Sequence, residues 1–168
     1  QAGAHITAAQ LMEGRIIRPM VIAMPSDGLW GDGSGYVPHH KQNFERWITD
    51  DVPQAVMEVV TQTSTHSPLF IAGLSMGGFG AMRIGAKYPR LFKGISAHSA
   101  ITIWEEMKHF VEENIDDFPA FDQDDCIIDL LLSNQDALPP IRFDCGVDDL
   151  LLAANRKLHQ QLEAAQIP

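Results

Sequence analysis

The chain has 168 residues, of which 45% are hydrophobic, so it can bury one sizeable core, and a single domain over residues 1–168 is expected. Lysine and arginine number 12 against 22 aspartates and glutamates, which gives a formal net charge of −10. This balance, without a basic run, argues against nucleic acid or an anionic membrane surface as a partner. No cofactor or metal motif is present. The two cysteines, Cys126 and Cys145, lack zinc-binding spacing and are interpreted as free buried thiols, with a disulfide left open.

The first part of the chain combines a short helix, an apolar run and a glycine-rich loop. Thr7 can cap a helix that runs to Glu13. The apolar run Met20–Met24 has the length and continuous hydrophobicity of a parallel strand that is covered on both faces. The glycine-rich segment 25–35 follows it, at the edge where open α/β sheets place their ligands. Trp30 in this segment is interpreted either as a residue that lines the substrate pocket or as an ordinary core tryptophan.

Two short helices are predicted between this loop and the centre of the chain. Apolar residues recur at helical spacing over 44–48 and again over 52–60, and Pro53 would interrupt one continuous helix. The second helix is therefore expected to begin near Pro53 with an aspartate cap. The pair His39-His40 adjoins a loop and is interpreted as surface residues rather than metal ligands.

The most informative segment is Pro68–Gly78, in which a strand-like apolar run leads into Gly73-Leu-Ser-Met-Gly77. A Gly-x-Ser-x-Gly sequence between a strand and a helix is typical of a nucleophile elbow. Small residues two positions before and after the serine prevent collisions at the sharp turn. We therefore predict that Ser75 is a catalytic nucleophile and that the backbone N–H of Met76 is one oxyanion donor. A helix is predicted over Met76–Lys87, and its glycines would let it lie close to the sheet.

The second half of the chain alternates strands and helices around an acidic stretch. Strands are predicted over Phe92–Ala97 and Ile141–Cys145, and helices over 127–132 and Leu150–Ala165. The stretch 98–125 leaves the C-terminal end of a strand and is interpreted either as a lid over the site or as a solvated excursion. The whole pattern predicts an α/β fold with a doubly wound, mostly parallel sheet. The last helix has an apolar face made of Leu151, Ala154, Leu158 and Leu162.

A serine nucleophile needs a base to remove its proton and a carboxylate to orient that base, and in α/β-hydrolases the acid precedes the histidine. Asp149 lies in the turn after the last predicted strand and is the preferred acid. Asp148 is an alternative, and Asp149 could instead cap the following helix. Asp144 lies within the strand and is interpreted as structural. No histidine follows at a suitable position, since His159 is inside the last helix; His98 is retained as a substitute base.

Three stretches of the chain resemble the esterase D family of α/β-hydrolases, which includes S-formylglutathione hydrolases, tributyrin-type esterases and bacterial mycolyltransferases. The stretches are Met24–Gly28, Gly73–Gly78, and Cys145–Leu150 followed by Asn155–His159. The resemblance implies an α/β-hydrolase fold with Ser75 as nucleophile, Asp149 as triad acid and Met76 as an oxyanion donor.

Family members also carry a His-Gly oxyanion loop upstream and a Gly-Gly-His-type loop downstream, and this sequence has neither. We therefore expect an incomplete sheet that lacks the first strands and the last strand of the family. The base histidine and the second oxyanion donor are expected to lie outside residues 1–168.

The sequence thus predicts a serine carboxylesterase that hydrolyses a carboxylic ester or thioester through an acyl-enzyme on Ser75, with acyl transfer as a variant of the same chemistry. The alternative is a non-catalytic binding module that keeps the scaffold without the base, and a structural domain is a third interpretation. The expected partner is a small-molecule ester or thioester, with no cofactor, metal, nucleic acid or membrane. Whether the chain forms a homo-oligomer is left open.

Overall fold

The computed structural model describes residues 3–26, 33–39, 42–112, 114–115 and 126–167. Its first helix, α1, spans Ala4–Glu13 and follows Gly3, so it begins before the predicted cap Thr7 and ends where the sequence indicated. The strand predicted over Met20–Met24 is wrong. Those residues are exposed and join none of the described strands. An apolar run becomes a strand only where a neighbour takes up its backbone hydrogen bonds, and no described strand does so here.

A small hairpin and a helical segment follow. Asn43 caps the helical segment by accepting a hydrogen bond from the backbone N–H of Arg46 at 2.8 Å. A π-helical turn then leads without a break into the second predicted helix, which begins near Pro53 as expected and holds the proline in its first turn. The predicted aspartate cap is wrong, since Asp51 has helical dihedral angles and makes no capping bond. The elements are β1 Pro38–His39, β2 Gln42–Asn43, α2 Phe44–Arg46, the π-turn Trp47–Asp51 and α3 Val52–Val59.

The centre of the molecule is a three-stranded parallel sheet in the order β3-β4-β5, with a helix after each strand. The predicted strands and helices of this region are confirmed, with boundaries that differ by at most two residues. In the part of the chain that the structure describes, 3₁₀ helices span Trp104–His109 and Gln135–Ala137 in the connections. The main elements are β3 Leu69–Leu74, α4 Met76–Lys87, β4 Phe92–His98, α5 Ile127–Ser133, β5 Ile141–Asp144 and α6 Leu152–Ala164.

The three strands end level with one another. Leu74 is paired with His98, and His98 with Asp144, across the C-terminal edge of the sheet. The residues that come next in each strand therefore leave the sheet side by side. This register brings the loop after β3 and the loop after β5 to the same edge, where parallel sheets carry their functional groups.

One face of the sheet is covered by the core, which includes α4, α5 and α6. Ile95 is buried on this face, and a Cβ at Gly85 of α4 would approach its Cδ1 to 2.5 Å, so the glycine lets the helix lie close to the sheet as predicted. On the opposite face Phe70 and Leu74 are exposed. The predicted apolar face of α6 is confirmed, because Leu151, Ala154, Leu158 and Leu162 are all buried.

Helix α4 carries a buried ion pair far from its N-terminus. The guanidinium of Arg83, which is 1% exposed, contacts the carboxylate of the buried Glu45. Burial alone would raise the pKa of Glu45, but the hydrogen bond from Tyr88 and the charges of Arg83 and Lys87 outweigh it, and the pKa is lowered. This pair ties the C-terminal half of α4 to α2. None of the described helices has the length and apolar character needed to cross a bilayer.

Candidate active site

Ser75 occupies a strained turn between β3 and α4. Its φ of 56° and ψ of −116° lie outside the conformations that residues with a Cβ normally adopt. The surrounding backbone holds it there: the Ser75 N–H donates to the carbonyl of His98 at 2.9 Å, and its carbonyl accepts from Phe79 at 3.1 Å and Ile101 at 3.3 Å. The side chain is partly exposed. Such a turn places a serine hydroxyl at the open edge of a sheet.

The two glycines of the elbow, defined as residues Gly73–Gly77, have different roles. A Cβ at Gly73 would lie 1.9 Å from the carbonyl oxygen of Gly77, so no side chain fits there. A Cβ at Gly77 would meet nothing within 4 Å. The steric reason given for the motif therefore holds at the first glycine and not at the second.

The amide of Met76 begins helix α4. The first amides of a helix have no intrahelical acceptor, and the helix dipole makes this end favourable for negative charge. The side chain of Met76 packs against Gly33, where a Cβ would come within 2.1 Å of its sulfur, so the end of the glycine-rich loop reaches the elbow. Trp30 and His40 lie outside the described residues, and so do the predictions made for them.

Asp149 lies in the acid loop, defined as residues Gly146–Leu151, which follows β5. One carboxylate oxygen accepts a hydrogen bond from the backbone N–H of Leu151 at 2.9 Å. This bond, with a further hydrogen bond from the Ser99 side chain, lowers the pKa of Asp149, so the carboxylate stays ionised. The bond to Leu151 closes a turn just before α6, whose N-cap is Leu151 without a side-chain capping bond, so the capping role weighed above is not seen. The second carboxylate oxygen can still orient a base, because a carboxylate accepts at both oxygens.

The two histidines considered as bases have other partners. The Nδ1 atom of His98 lies 3.0 Å from Asp144, and its Nε2 atom lies 3.2 Å from the hydroxyl of Ser96. Because Ser96 is two residues back along β4, the ring is directed away from the edge that carries Ser75. His159 lies 3.6 Å from Glu163 on the surface of α6. Among the described residues, no histidine is hydrogen-bonded to the Ser75 hydroxyl.

The loop after β4 contains a residue that sequence reasoning missed. Ser99 has a φ of 40°, and its N–H donates to the carbonyl of Asp144 at 2.7 Å. Its hydroxyl hydrogen-bonds to both Asp149 and Cys145. Burial raises the pKa of the Cys145 thiol despite that bond, and the cysteine is free, as is Cys126. No motif marks a strained serine in a loop, so the sequence offered no signal for it.

Two cavities flank the core. The larger, of about 890 Å³, is lined by Tyr88 and Arg90 and lies at the N-terminal end of β4, opposite the elbow. The smaller, of about 390 Å³, lies beside the acid loop, two of whose residues line it. It is lined by Glu106, His109, Phe110, Leu150 and Leu151. Three of these residues belong to the predicted lid 98–125, of which 113 and 116–125 lie outside the described residues.

The described residues contain no group of three histidine, cysteine, aspartate or glutamate side chains able to hold a metal ion.

A family model described as "Putative esterase" matches residues 3–166, which is nearly the whole chain. The chain belongs to this esterase family. An acetyl esterase of Caldicellulosiruptor saccharolyticus is 24% identical over 177 residues, covering 94% of this chain and 65% of that protein. An esterase of Mycobacterium tuberculosis strain H37Rv is 31% identical over 88 residues, covering 49% of this chain and 18% of that protein.

The structure of a ferulic acid esterase superposes with a TM-score of 0.67 at 21% identity, covering 98% of this chain and 66% of that one. This likeness confirms the predicted α/β-hydrolase fold. This chain therefore spans 65% of the length of the acetyl esterase and 18% of the length of the mycobacterial esterase. The incomplete parallel sheet agrees with that coverage.

Proposed function

We propose that this protein is a serine carboxylesterase that forms an acyl-enzyme on Ser75. The observation that carries the proposal is the strained backbone of Ser75 at the C-terminal edge of the sheet. Strain of this kind costs about 1–3 kcal/mol and persists where the fold over-determines it, typically at active sites. Membership of the esterase family supports the same chemistry.

In the proposed reaction the Ser75 hydroxyl attacks the ester carbonyl carbon and passes its proton to a histidine base. The negative charge that develops on the carbonyl oxygen is stabilised by the N–H of Met76 at the start of α4. The same proton then goes to the leaving alcohol or thiol as the carbon–oxygen or carbon–sulfur bond breaks. Water attacks the acyl-enzyme in a second, equivalent cycle and restores the serine.

Asp149 is the proposed acid that orients this histidine. Its lowered pKa keeps it ionised, which is the state that stabilises an imidazolium. His98 and His159 have other partners and are not proposed as the base, which is proposed to lie outside residues 1–168, as the family resemblance implies. The second oxyanion donor is assigned outside the same range.

The substrate is proposed to be a small carboxylic ester or thioester. The cavity beside the acid loop, lined in part by Glu106 and Phe110, offers room for one part of it, and Trp30 is proposed to line the site as well. The 98–125 segment is proposed as the lid, since residues of its 3₁₀ helix Trp104–His109 reach the cavity. Because a relative is named an acetyl esterase, an acetyl ester is the first substrate to test.

The test is hydrolysis of p-nitrophenyl acetate by the complete gene product and its Ser75→Ala variant. We expect kcat to fall by about 10⁴-fold or more, as when a serine nucleophile is removed from a triad. Ser96→Ala is the matched control, since Ser96 lies on the open face of the sheet and bonds only to His98 among the described residues. Equal activity of Ser75→Ala and the parent protein would refute the proposal.

A further inference from the structure

A continuous series of hydrogen bonds joins the acid loop to the elbow through one buried asparagine. The Asp149 carboxylate accepts from the N–H of Leu151 at 2.9 Å, and the carbonyl of Leu151 accepts from Asn155 Nδ2 at 2.9 Å. The same Nδ2 donates to the carbonyl of Ala100 at 2.8 Å. The next residue, Ile101, donates its N–H to the carbonyl of Ser75 at 3.3 Å.

The chemistry of the amide fixes which atom faces the loop. Both neighbours are carbonyl oxygens, which only accept, so the NH₂ group of Asn155 must point to them. Each of its two hydrogens then has one acceptor. A hydroxyl side chain has one hydrogen and could donate to only one of the two carbonyls.

The position of Asn155 explains why its two side-chain hydrogen bonds matter to the site. The residue is 3% exposed and lies in the apolar stripe of α6 between Leu151 and Leu158. Ala100 is fully buried and packs against the first turn of α4, where a Cβ at Gly78 would lie 2.7 Å from the Ala100 Cβ. Asn155 therefore connects the helix that follows Asp149 to the segment that supports Ser75.

We propose that Asn155 is a positioning residue, which sets the distance and orientation of the Asp149 carboxylate relative to the Ser75 elbow. This inference rests on the proposed function, because positioning has a kinetic consequence only if Ser75 and Asp149 act together. Asn155 does not touch the reacting atoms. It acts through the backbone of Leu151 on one side and of Ala100 on the other.

Two substitutions at this position distinguish the side-chain hydrogen bond to Leu151, within the helix, from the hydrogen bond to Ala100, which links α6 to the segment after β4. Asn155→Leu keeps the branched shape and removes both side-chain hydrogen bonds, while the backbone N–H of residue 155 still donates to the Leu151 carbonyl. Asn155→Ser keeps a hydroxyl that can bond the Leu151 carbonyl one turn back in the helix, but it is too short to reach Ala100. Asn134→Leu is the control, because Asn134 Nδ2 donates to the carbonyl of Leu130 at 3.0 Å with the same i−4 spacing, at the C-cap of α5.

The readouts are kcat, KM and the pH profile of kcat/KM for p-nitrophenyl acetate, measured on the complete gene product. A displaced carboxylate stabilises the imidazolium less, which lowers the pKa of the base histidine and moves the acidic limb of the profile to lower pH. We expect both Asn155 variants to lose kcat by about 10- to 100-fold with KM little changed, as small misplacements in an active site do. A merely structural role would lower the melting temperature and leave the acidic limb in place.

The outcomes separate this inference from the proposed function. If Ser75→Ala is inactive while Asn155→Leu and Asn155→Ser keep the kcat and the acidic limb of the parent protein, the positioning role is overturned and the esterase proposal stands. An equal loss of kcat in Asn134→Leu also overturns the positioning role. If Asn155→Leu does not fold, Asn155→Ser decides the question by the same criteria. Retained activity in Ser75→Ala overturns both proposals.

Discussion

The elbow and the acid loop leave the same edge of the sheet but are held by different forces. The elbow is fixed by steric contact, since Gly73 has no room for a side chain and Ser75 has a strained backbone. The acid loop is partly exposed, and Asp149 is held by hydrogen bonds from Leu151 and Ser99. A change in the elbow should therefore disturb the fold, whereas a change in the acid loop should disturb chemistry and leave the fold intact.

The largest effect is expected from Asp149→Asn. The asparagine can still accept from the N–H of Leu151, so stability should be unchanged, but it cannot stabilise an imidazolium. We expect kcat to fall by about 10³- to 10⁴-fold, comparable to the loss of a triad carboxylate elsewhere. Steady-state kinetics and a thermal melt check the two halves of this prediction. Asp148→Asn is the control, and a larger loss of kcat in that variant would assign the acid to Asp148 instead.

Gly73→Ala should destabilise the fold by about 4 kcal/mol, because its Cβ would overlap backbone and not a flexible side chain. Gly77→Ala is the matched variant on the other side of the serine. It should be stabilising by about 0.5–1 kcal/mol, since the new methyl group meets nothing and alanine is the better helix former. Chemical denaturation measures both. Similar losses in the two variants would contradict the steric account of the elbow.

Glu45→Gln should cost about 3 kcal/mol, because it replaces the carboxylate that contacts the buried Arg83 guanidinium with a neutral amide. The pKa of Glu45 is lowered in the folded state, so its contribution is present above its ordinary pKa of 4.5 and is lost as the pH falls through the lower folded value. The parent protein should therefore lose stability more steeply than the variant below about pH 4.5. If the melting temperatures of the parent protein and the variant fell by the same amount down to pH 3, this interpretation of the buried pair would be wrong.

The smallest effect is expected from Val147→Ser in the acid loop. Val147 is 77% exposed, and substitutions at such positions usually change stability by less than about 0.5 kcal/mol. Chemical denaturation checks this prediction. A loss above about 1 kcal/mol would show that packing, and not hydrogen bonding alone, holds the acid loop.

The parts of the fold that follow from local chemistry were predictable from the sequence. The elbow and helix α4 are marked by a local pattern of glycines around Ser75, and the apolar stripe of α6 repeats with the helical period. The run Met20–Met24 was misread because a strand depends on a partner, which hydrophobicity alone does not reveal. The start of α3 near Pro53 was predictable, whereas the π-turn that joins it to α2 was not.

The candidate site was predictable only in part, because contacts between residues far apart in the sequence leave no local pattern. Ser75 and Asp149 stand in recognisable patterns, whereas Ser99 and Asn155 act through contacts between residues 50 to 55 positions apart, as in the bond from Asn155 to Ala100. One signal was present at Asn155, since a polar residue interrupted the apolar stripe of the last helix. Its role became visible only when both of its acceptors were known.

Covalent labelling tests the central claim most directly. The complete gene product is treated with a fluorophosphonate probe, digested, and the modified residue is located by mass spectrometry. The account predicts a single adduct on Ser75, in the peptide that contains the elbow, and no adduct in Ser75→Ala. An adduct at another serine with Ser75 unmodified, or equal labelling of Ser75→Ala and the parent protein, would contradict it.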